Sequence, residues 1–274
     1  MYSPPTDPQE EQAVRQAFDA CCETLGLGRG GEPVWGFHGR TLSGAVNHPE
    51  HGMCWLRVVH APMDKAQGKH WEGNAFASVL FDGRVQKPRL YETIEFLRDS
   101  RAFQGELGAF ITEPVCSKEP VLREVLELPD SWWDSLRADI ATVAGTKTAR
   151  EAVRQEWVDR CVPQFLGIEP PQITEWETAH GDLHPANLTV GTPWLLDWEG
   201  FGVAPVGYDP AMLLAYSGLV PSIAERVRKE FPILDCPAGR TARIVVATEL
   251  LQSVSRGDHA ELEQSLRAMA LQPE

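Results

Sequence analysis

Apolar positions recur along this chain with two different periods. Near the start, Val14, Phe18, Cys21 and Leu25 fall three to four residues apart, the spacing of one helix face. Asp7 precedes Pro8 and Glu10, so a side-chain cap, a proline in the first turn and a reciprocal acid mark the helix start. The glycines of Leu25-Gly26-Leu27-Gly28-Arg29-Gly30-Gly31 end it. They follow a helix rather than a strand, and so read as a flexible connection and not as a nucleotide fingerprint. From Val34 the period shortens. Trp35 to Val46 reads as a glycine-containing hairpin whose backbone N–H groups could approach phosphates, and Cys54 to Val59 as a buried strand. A helix over about 69–81 follows, and residues 90–96 and 108–115 read as two further strands.

The second half of the chain is patterned for helices. Asp130 is placed to cap one that carries Trp132, Leu136, Ile140 and Val143 on a single stripe. Thr148-Ala149-Arg150-Glu151 has the form of a capping box, and Val153, Trp157, Cys161 and Phe165 follow at four-residue intervals up to Gly167. These aromatic residues are core stripes rather than a cofactor box. Past Asp209, which is placed to cap the helix that Pro210 begins, Met212, Leu213 and Tyr216 suggest one helix, and 223–231, 241–255 and 259–271 three more.

Between these helices, Leu188-Thr189-Val190 and Trp194-Leu195-Leu196 flank the turn formers Gly191-Thr192-Pro193, which predicts a β-hairpin. A symmetric turn sets Val190 against Trp194, Thr189 against Leu195 and Leu188 against Leu196, so that Asn187 comes to lie opposite Asp197. Opposed residues stand roughly 4.5–5.5 Å apart at Cβ. An amide oxygen and a carboxylate at that spacing can share a hard cation such as Mg2+, which keeps waters and substrate phosphates in its other positions. Asp182, five residues before Asn187, brings a second carboxylate to the same mouth.

Composition narrows the chemistry. With 274 residues, 43% of them hydrophobic and 23% charged, the chain has material for a full core and one or two domains. No apolar run reaches the roughly 18 residues of a membrane span, and the start Met-Tyr-Ser-Pro-Pro has no signal-peptide form, which reads as cytoplasmic. Six cysteines without a Cys-x-x-Cys pair read as reduced, buried thiols. The net charge of −14 repels polyanions, which argues against a nucleic-acid partner and suits a cationic small molecule, although acidic surfaces also serve solubility.

His180-Gly181-Asp182-Leu183-His184-Pro185-Ala186-Asn187 and the later Leu196-Asp197-Trp198-Glu199 now take on meaning. His-x-Asp-x-x-x-x-Asn is the spacing of the protein-kinase catalytic loop, in which the Asp orients the acceptor hydroxyl and takes its proton while the Asn holds metal; an Asp on a following strand holds metal bridging the phosphates. A zinc pair of His180 and His184 is disfavoured by Gly181 and Pro185, which interrupt any helix, and by the lack of a Glu after His180. Singly, Asp182 and Asp197 could be turn carboxylates. In order and at these spacings they resemble the aminoglycoside phosphotransferase family of protein-kinase-like small-molecule kinases, and Gly207-Tyr208-Asp209-Pro210 extends the likeness.

The resemblance implies an α+β, two-lobed protein-kinase-like fold, with a small N-terminal lobe of antiparallel sheet and one helix and a larger, mainly helical C-terminal lobe. Its expected divisions are an N-terminal helix and linker over 1–31, a nucleotide-binding lobe over 32–115 and a lobe over 116–274 carrying the catalytic loop, metal site and acceptor pocket. It further implies ATP and Mg2+, with Asp182 as catalytic base, His180 bracing its loop, and Asn187 and Asp197 on the metal. The strand lysine of the family's plan is replaced by Arg57, expected to pair with Glu72 and steady the phosphates, with Lys65 or Lys69 as alternatives. Glu113 and Val115, around Pro114, which has no N–H, would offer backbone groups to the adenine edge. Glu175, Glu199 and Asp209 are candidate contacts for a cationic acceptor. A small hydroxylated acceptor, a Ser or Thr peptide modified in natural-product synthesis, and a nucleotide-binding pseudokinase are the three readings that follow.

Overall fold

A computed structural model describes residues 3–98 and 100–271, Lys69 and His70 by their backbone alone. The chain packs as two compact units, one running to Asp82 and resuming over Pro88–Thr112, the other made of Gly83–Lys87 and the chain from Glu113 onward.

The first unit is a twisted antiparallel sheet with a helix on each face. It contains α1 (Pro8–Thr24), β1 (Gly28–Arg29), β2 (Val34–Trp35), β3 (Thr41–His48), β4 (Gly52–Pro62), α2 (Lys69–Phe81), β5 (Leu90–Arg98) and β6 (Arg101–Ala109). The strand order is β1-β3-β4-β6-β5, with β2 also paired to β3. Helix α1 starts where the sequence places it, Asp7 accepting the Gln9 N–H at 2.9 Å, but Glu10 does not close a capping box: its carboxylate reaches Arg101 of β6 at 2.7 Å. Its face of Val14, Ala17, Phe18, Cys21 and Cys22 packs on Leu42, Val46, Cys54, Leu56, Val58, Phe103 and Leu107. Burying a side chain such as Phe18 contributes roughly 1.5–3 kcal/mol, so this face fastens the helix to the sheet. Residues that alternate with these point to the other face, where Trp71 of α2 packs on Val59 and Ala102.

One strand differs from expectation. The run read as 108–115 begins earlier, as Arg101–Ala109, because Ala102 to Leu107 are buried on both faces; the residues after Ala109 leave the sheet.

The second unit contains α3 (Asp130–Ala144), α4 (Gln155–Leu166), β7 (Trp176–Ala179), β8 (Gly202–Pro205), α5 (Tyr208–Tyr216), α6 (Pro221–Glu230), α7 (Pro237–Val254) and α8 (Glu263–Leu271). Helix α5 is buried on all sides, as an almost wholly apolar helix must be, and packs on α6 and α7. Pro129 rather than Asp130 precedes α3, and Asp130 instead pairs with Arg226. Helix α4 starts at Gln155, seven residues after the supposed cap Thr148, and buries Val158, Cys161 and Val162, not Trp157. The intervening residues are drawn into pairing with β8: Val203 N–H donates to Arg150 O at 2.7 Å, and Ala152 N–H to Val203 O at 2.9 Å. The five residues 83–87 are fixed here too, since Gln86 N–H donates to the Asp139 carboxylate of α3 and Gln86 O accepts the Leu195 N–H.

Five of the six cysteines are buried, Cys236 is exposed, and none is bonded to another. Among the described residues no helix is long and apolar enough to cross a membrane.

Candidate active site

The β7–β8 ladder, which the sequence patterning did not reveal, carries the functional loops. The chain leaves β7 at Ala179 directly into His180, and re-enters β8 at Gly202 after the turn Trp198–Gly200. Gly181 has φ +85°, and a Cβ there would overlap the Gly200 carbonyl, so the two loops approach as closely as they do only through glycine. Arg150 fastens the far side, donating from Nε to Phe201 O and from Nη2 to Glu199 O, each at 3.2 Å, with its guanidinium over the Phe201 ring.

His180 is fully buried beneath Trp198, ring centroids 4.7 Å apart. Its Nε2 is 2.9 Å from Leu196 O and its Nδ1 accepts the Asp182 N–H at 3.4 Å. One nitrogen therefore donates and the other accepts, the pattern of a neutral ring. Burial pushes its pKa down to about 4, against the pull of Asp182 and the carbonyl bond. Asp209, expected as a helix cap, caps nothing in α5; its buried carboxylate accepts the His180 N–H at 2.6 Å and the Gly181 N–H at 3.0 Å. Burial raises its pKa to about 7, outweighing those two donors.

Asp182 keeps 43% of its side chain accessible, whereas His180, His184 and Asn187 around it are buried. Burial of the carboxyl group would raise its pKa, but His184 and His180 together hold it below the usual carboxylate value. His184 Nε2 lies 3.5 Å from Asp182 Oδ2. Asn187 Nδ2 donates to the Asp182 carbonyl at 2.9 Å and lies 3.3 Å from both Asp182 Oδ2 and His184 Nε2. With the NH2 end of the amide so engaged, its oxygen is the end left to act as a ligand.

The expected hairpin is reduced to a single bridge, and its register is shifted by one residue. Leu188 pairs with Leu195, not Leu196, and Leu196 N–H donates to Asn187 O at 2.9 Å. Asp197 therefore sits one position past Asn187. There the chain turns left-handed (φ +57°), which Asp tolerates, and the ladder cannot continue. Asp197 is exposed. Among the described residues no three His, Cys, Asp or Glu side chains converge as a metal cluster. The opposed Asn187–Asp197 pair from which a shared Mg2+ site was expected is not formed by the strand register, although an amide oxygen and a carboxylate are donors of the type Mg2+ takes.

In the first unit, Arg57 does not meet Glu72. Arg57 stands directly opposite Glu106 in the β4–β6 ladder, and its Nη1 lies 2.9 Å from Glu106 Oε2. Glu72 is exposed, and its side chain forms no hydrogen bond or ion pair with any described residue. A helix register in which Asn74 faces the sheet explains the difference: Asn74 Nδ2 donates to the same Glu106 oxygen at 2.8 Å, and Glu72, two residues earlier, faces out. Lys65 is exposed in a short 3-10 turn, and the Lys69 side chain lies outside the described residues. Glu106 is missed by the sequence patterning, which begins this strand two residues after it; only the observed β6, with Ala102 to Leu107 buried, brings it opposite Arg57.

Glu113 uses its side chain to hold the Gly191-Thr192-Pro193 turn, Oε2 accepting the Thr192 N–H. Val115 bridges Thr189, with Val190 N–H bonded to Pro114 O and Cys116 N–H to Leu188 O. In such a pair the N–H and C=O of Val115 itself point away from the 188–190 segment. Glu175 is exposed, and Glu199 lies in the turn after Asp197.

No curated protein matches this sequence. Among solved structures, an amicoumacin kinase in complex with AMP-PNP, Ca2+ and Ami superposes with a TM-score of 0.58 at 10% identity, over 95% of this chain and 96% of that one. A MAP kinase from Leishmania major covers 93% and 89% of the two chains at 9% identity, with a TM-score of 0.34 that is too low to bear on the fold. The first similarity shows a two-lobed, α+β kinase-like fold. The sequence profile of the phosphotransferase enzyme family matches residues 89–241, more than half of the chain, and the protein belongs to that family.

Proposed function

We propose that this phosphotransferase moves the γ-phosphoryl group of ATP to a hydroxyl of a small, hydroxylated acceptor, aminoglycoside-like or a related metabolite, cationic acceptors being favoured by the net charge of −14. The observation that carries the proposal is the Asp182 carboxylate, accessible and held ionised, at the centre of a loop whose other polar members are buried and bonded to one another. Asp182 orients the acceptor hydroxyl and takes its proton. The acceptor oxygen then bonds to the γ-phosphorus as the bond from phosphorus to the β–γ bridging oxygen breaks, and ADP leaves. His180, neutral and bonded to Leu196 O, braces the loop. Asn187 and Asp197 are the residues that would hold Mg2+, which when bound neutralises charge on the β- and γ-phosphate oxygens. Arg57 steadies the phosphates, and the backbone at Glu113 and Val115 takes the adenine edge, a role supported by the direction of the Val115 N–H and C=O. In this scheme 32–115 serve the nucleotide and 116–274 the chemistry and the acceptor, after the helix and linker of 1–31. Since the protein makes no covalent intermediate, positioning and charge neutralisation carry the rate.

Mg2+-dependent ATP consumption, measured over amino sugars, other metabolites and short Ser/Thr peptides, tests this. Asp182→Asn should lower turnover by about 10²–10⁴-fold while ATP binding is retained. Wild-type protein that binds ATP but shows no Asp182-dependent turnover on any acceptor would refute the enzyme reading in favour of a pseudokinase. Turnover confined to peptides would replace the small acceptor with a protein one.

A further inference from the structure

The face of the sheet opposite α1 carries a polar strip of Arg57, Glu95, Gln104 and Glu106, into which α2 projects Trp71 and Asn74. Gln104 Nε2 and Trp71 Nε1 both donate to Glu95 Oε1, at 2.7 and 2.8 Å. Within the strip, Arg57 and Glu106 are 13% and 5% accessible and form an ion pair. A carboxylate this buried is stable only when paired, and removing its partner would leave an uncompensated charge. The two residues are cross-strand neighbours, so the backbone ladder fixes their separation. A carboxylate carried on a helix would instead bring its partner to position only when the helix itself was in place.

A guanidinium is a planar fork of five donors. Holding Nη1 against Glu106 Oε2 sets the plane and direction of the rest, which is what recognition of phosphate oxygens demands of an arginine. We propose that Glu106, supported by Asn74, is the positioning residue for Arg57, so that the sheet itself and not the helix residue Glu72 aims the phosphate-binding side chain. The proposal rests on the phosphotransferase reading above. It assigns α2 a supporting part only, through a hydrogen bond from Asn74 to the carboxylate that Arg57 uses.

Calorimetric binding of Mg-ATP and of adenosine to wild type, Glu106→Gln and Glu72→Gln tests it. Adenosine reports the base and ribose contacts alone, so a positioning role for Glu106 is read from the difference between the two ligands. Glu106→Gln should weaken Mg-ATP by about tenfold, the scale of one charge-assisted hydrogen bond, and leave adenosine within about twofold. Glu106→Asp keeps the buried charge but draws it back by one methylene; it should show the same selective loss to a smaller degree, and it carries the test if Glu106→Gln does not fold. Equal weakening of both ligands, no weakening of either, or an ATP-selective loss in Glu72→Gln instead would overturn the assignment of Glu106 while leaving the enzyme reading intact. A wild-type protein that binds no Mg-ATP would overturn both.

Discussion

Burial acts on two residues at the His180–Asn187 loop in opposite senses. His180 is held neutral, its pKa lowered from 6.5 to about 4, so the unfolded chain takes up a proton below pH 6.5 that the folded protein refuses. Its contribution to stability is therefore lost as the pH falls from about 6.5 towards 4. Asp209 has its pKa raised from 3.8 to about 7, so the folded protein keeps a proton that the unfolded chain releases. That contribution is complete in acid and is lost as the pH rises towards 7. Between pH 4 and 6.5 the two largely cancel. Asp209→Asn removes one of them, and urea unfolding from pH 4.5 to 7 should show the variant losing stability on acidification more steeply than wild type, by up to ~1.4 kcal/mol per pH unit. Parallel profiles would show that Asp209 is ionised in the folded protein. The spacing of His180, Asp182 and Asn187 was legible because all three belong to one loop, whose own hydrogen bonds bring them together. Glu106 was not, because its importance comes from a cross-strand partner 49 residues away.

At the level of elements, the loop's position depends on the short β7–β8 ladder and on the contact of Gly181 with Gly200. Gly181→Ala meets both a left-handed backbone and an occupied space, whereas Gly257→Ala, at φ +98° with nothing within 4 Å, meets only the first. Thermal unfolding should accordingly show Gly257→Ala costing about 1 kcal/mol and Gly181→Ala distinctly more, roughly 2–4 kcal/mol, with turnover lost in the latter alone. Equal costs would mean that the two loops separate freely. Long helices and the central strands were readable from their periodicity, as with the α1 face and β4. Four-residue strands were not: Trp176-Glu177-Thr178-Ala179 has too few positions for alternation to show. The start of α4 was misplaced for a related reason, since a local capping pattern at Thr148 was overridden by pairing of Arg150 and Ala152 with β8. The hairpin register failed by one residue because a symmetric turn was assumed, whereas the Thr189 hydroxyl bonds within the turn to Thr192 O and the Trp194 N–H.

At the scale of the whole molecule, the family and the kinase-like architecture could be anticipated from fewer than twenty residues around Asp182 and Asp197, while the acceptor could not, because pocket shape is built from helices patterned only for burial. The charge of −14 still has a measurable consequence. Attraction of a cationic acceptor by such a field decays over about 10 Å at 0.1 M salt. The KM for a polycationic acceptor should therefore rise several-fold between 0.05 and 0.5 M salt, approximate limits chosen to span that screening range, and the KM for a neutral acceptor should hardly move. Identical salt dependence for both would assign the acidity to solubility alone.

The short stretch 83–87 sets how the polypeptide can be divided. Because Gln86 supplies a donor to Asp139 and an acceptor to Leu195, two residues before Asp197, a helical fragment begun at Glu113 would be born with both of those groups orphaned. An autonomous version has to start at Gly83 and carry the β5–β6 ribbon as a passenger, which makes this protein a poor subject for a simple two-piece split.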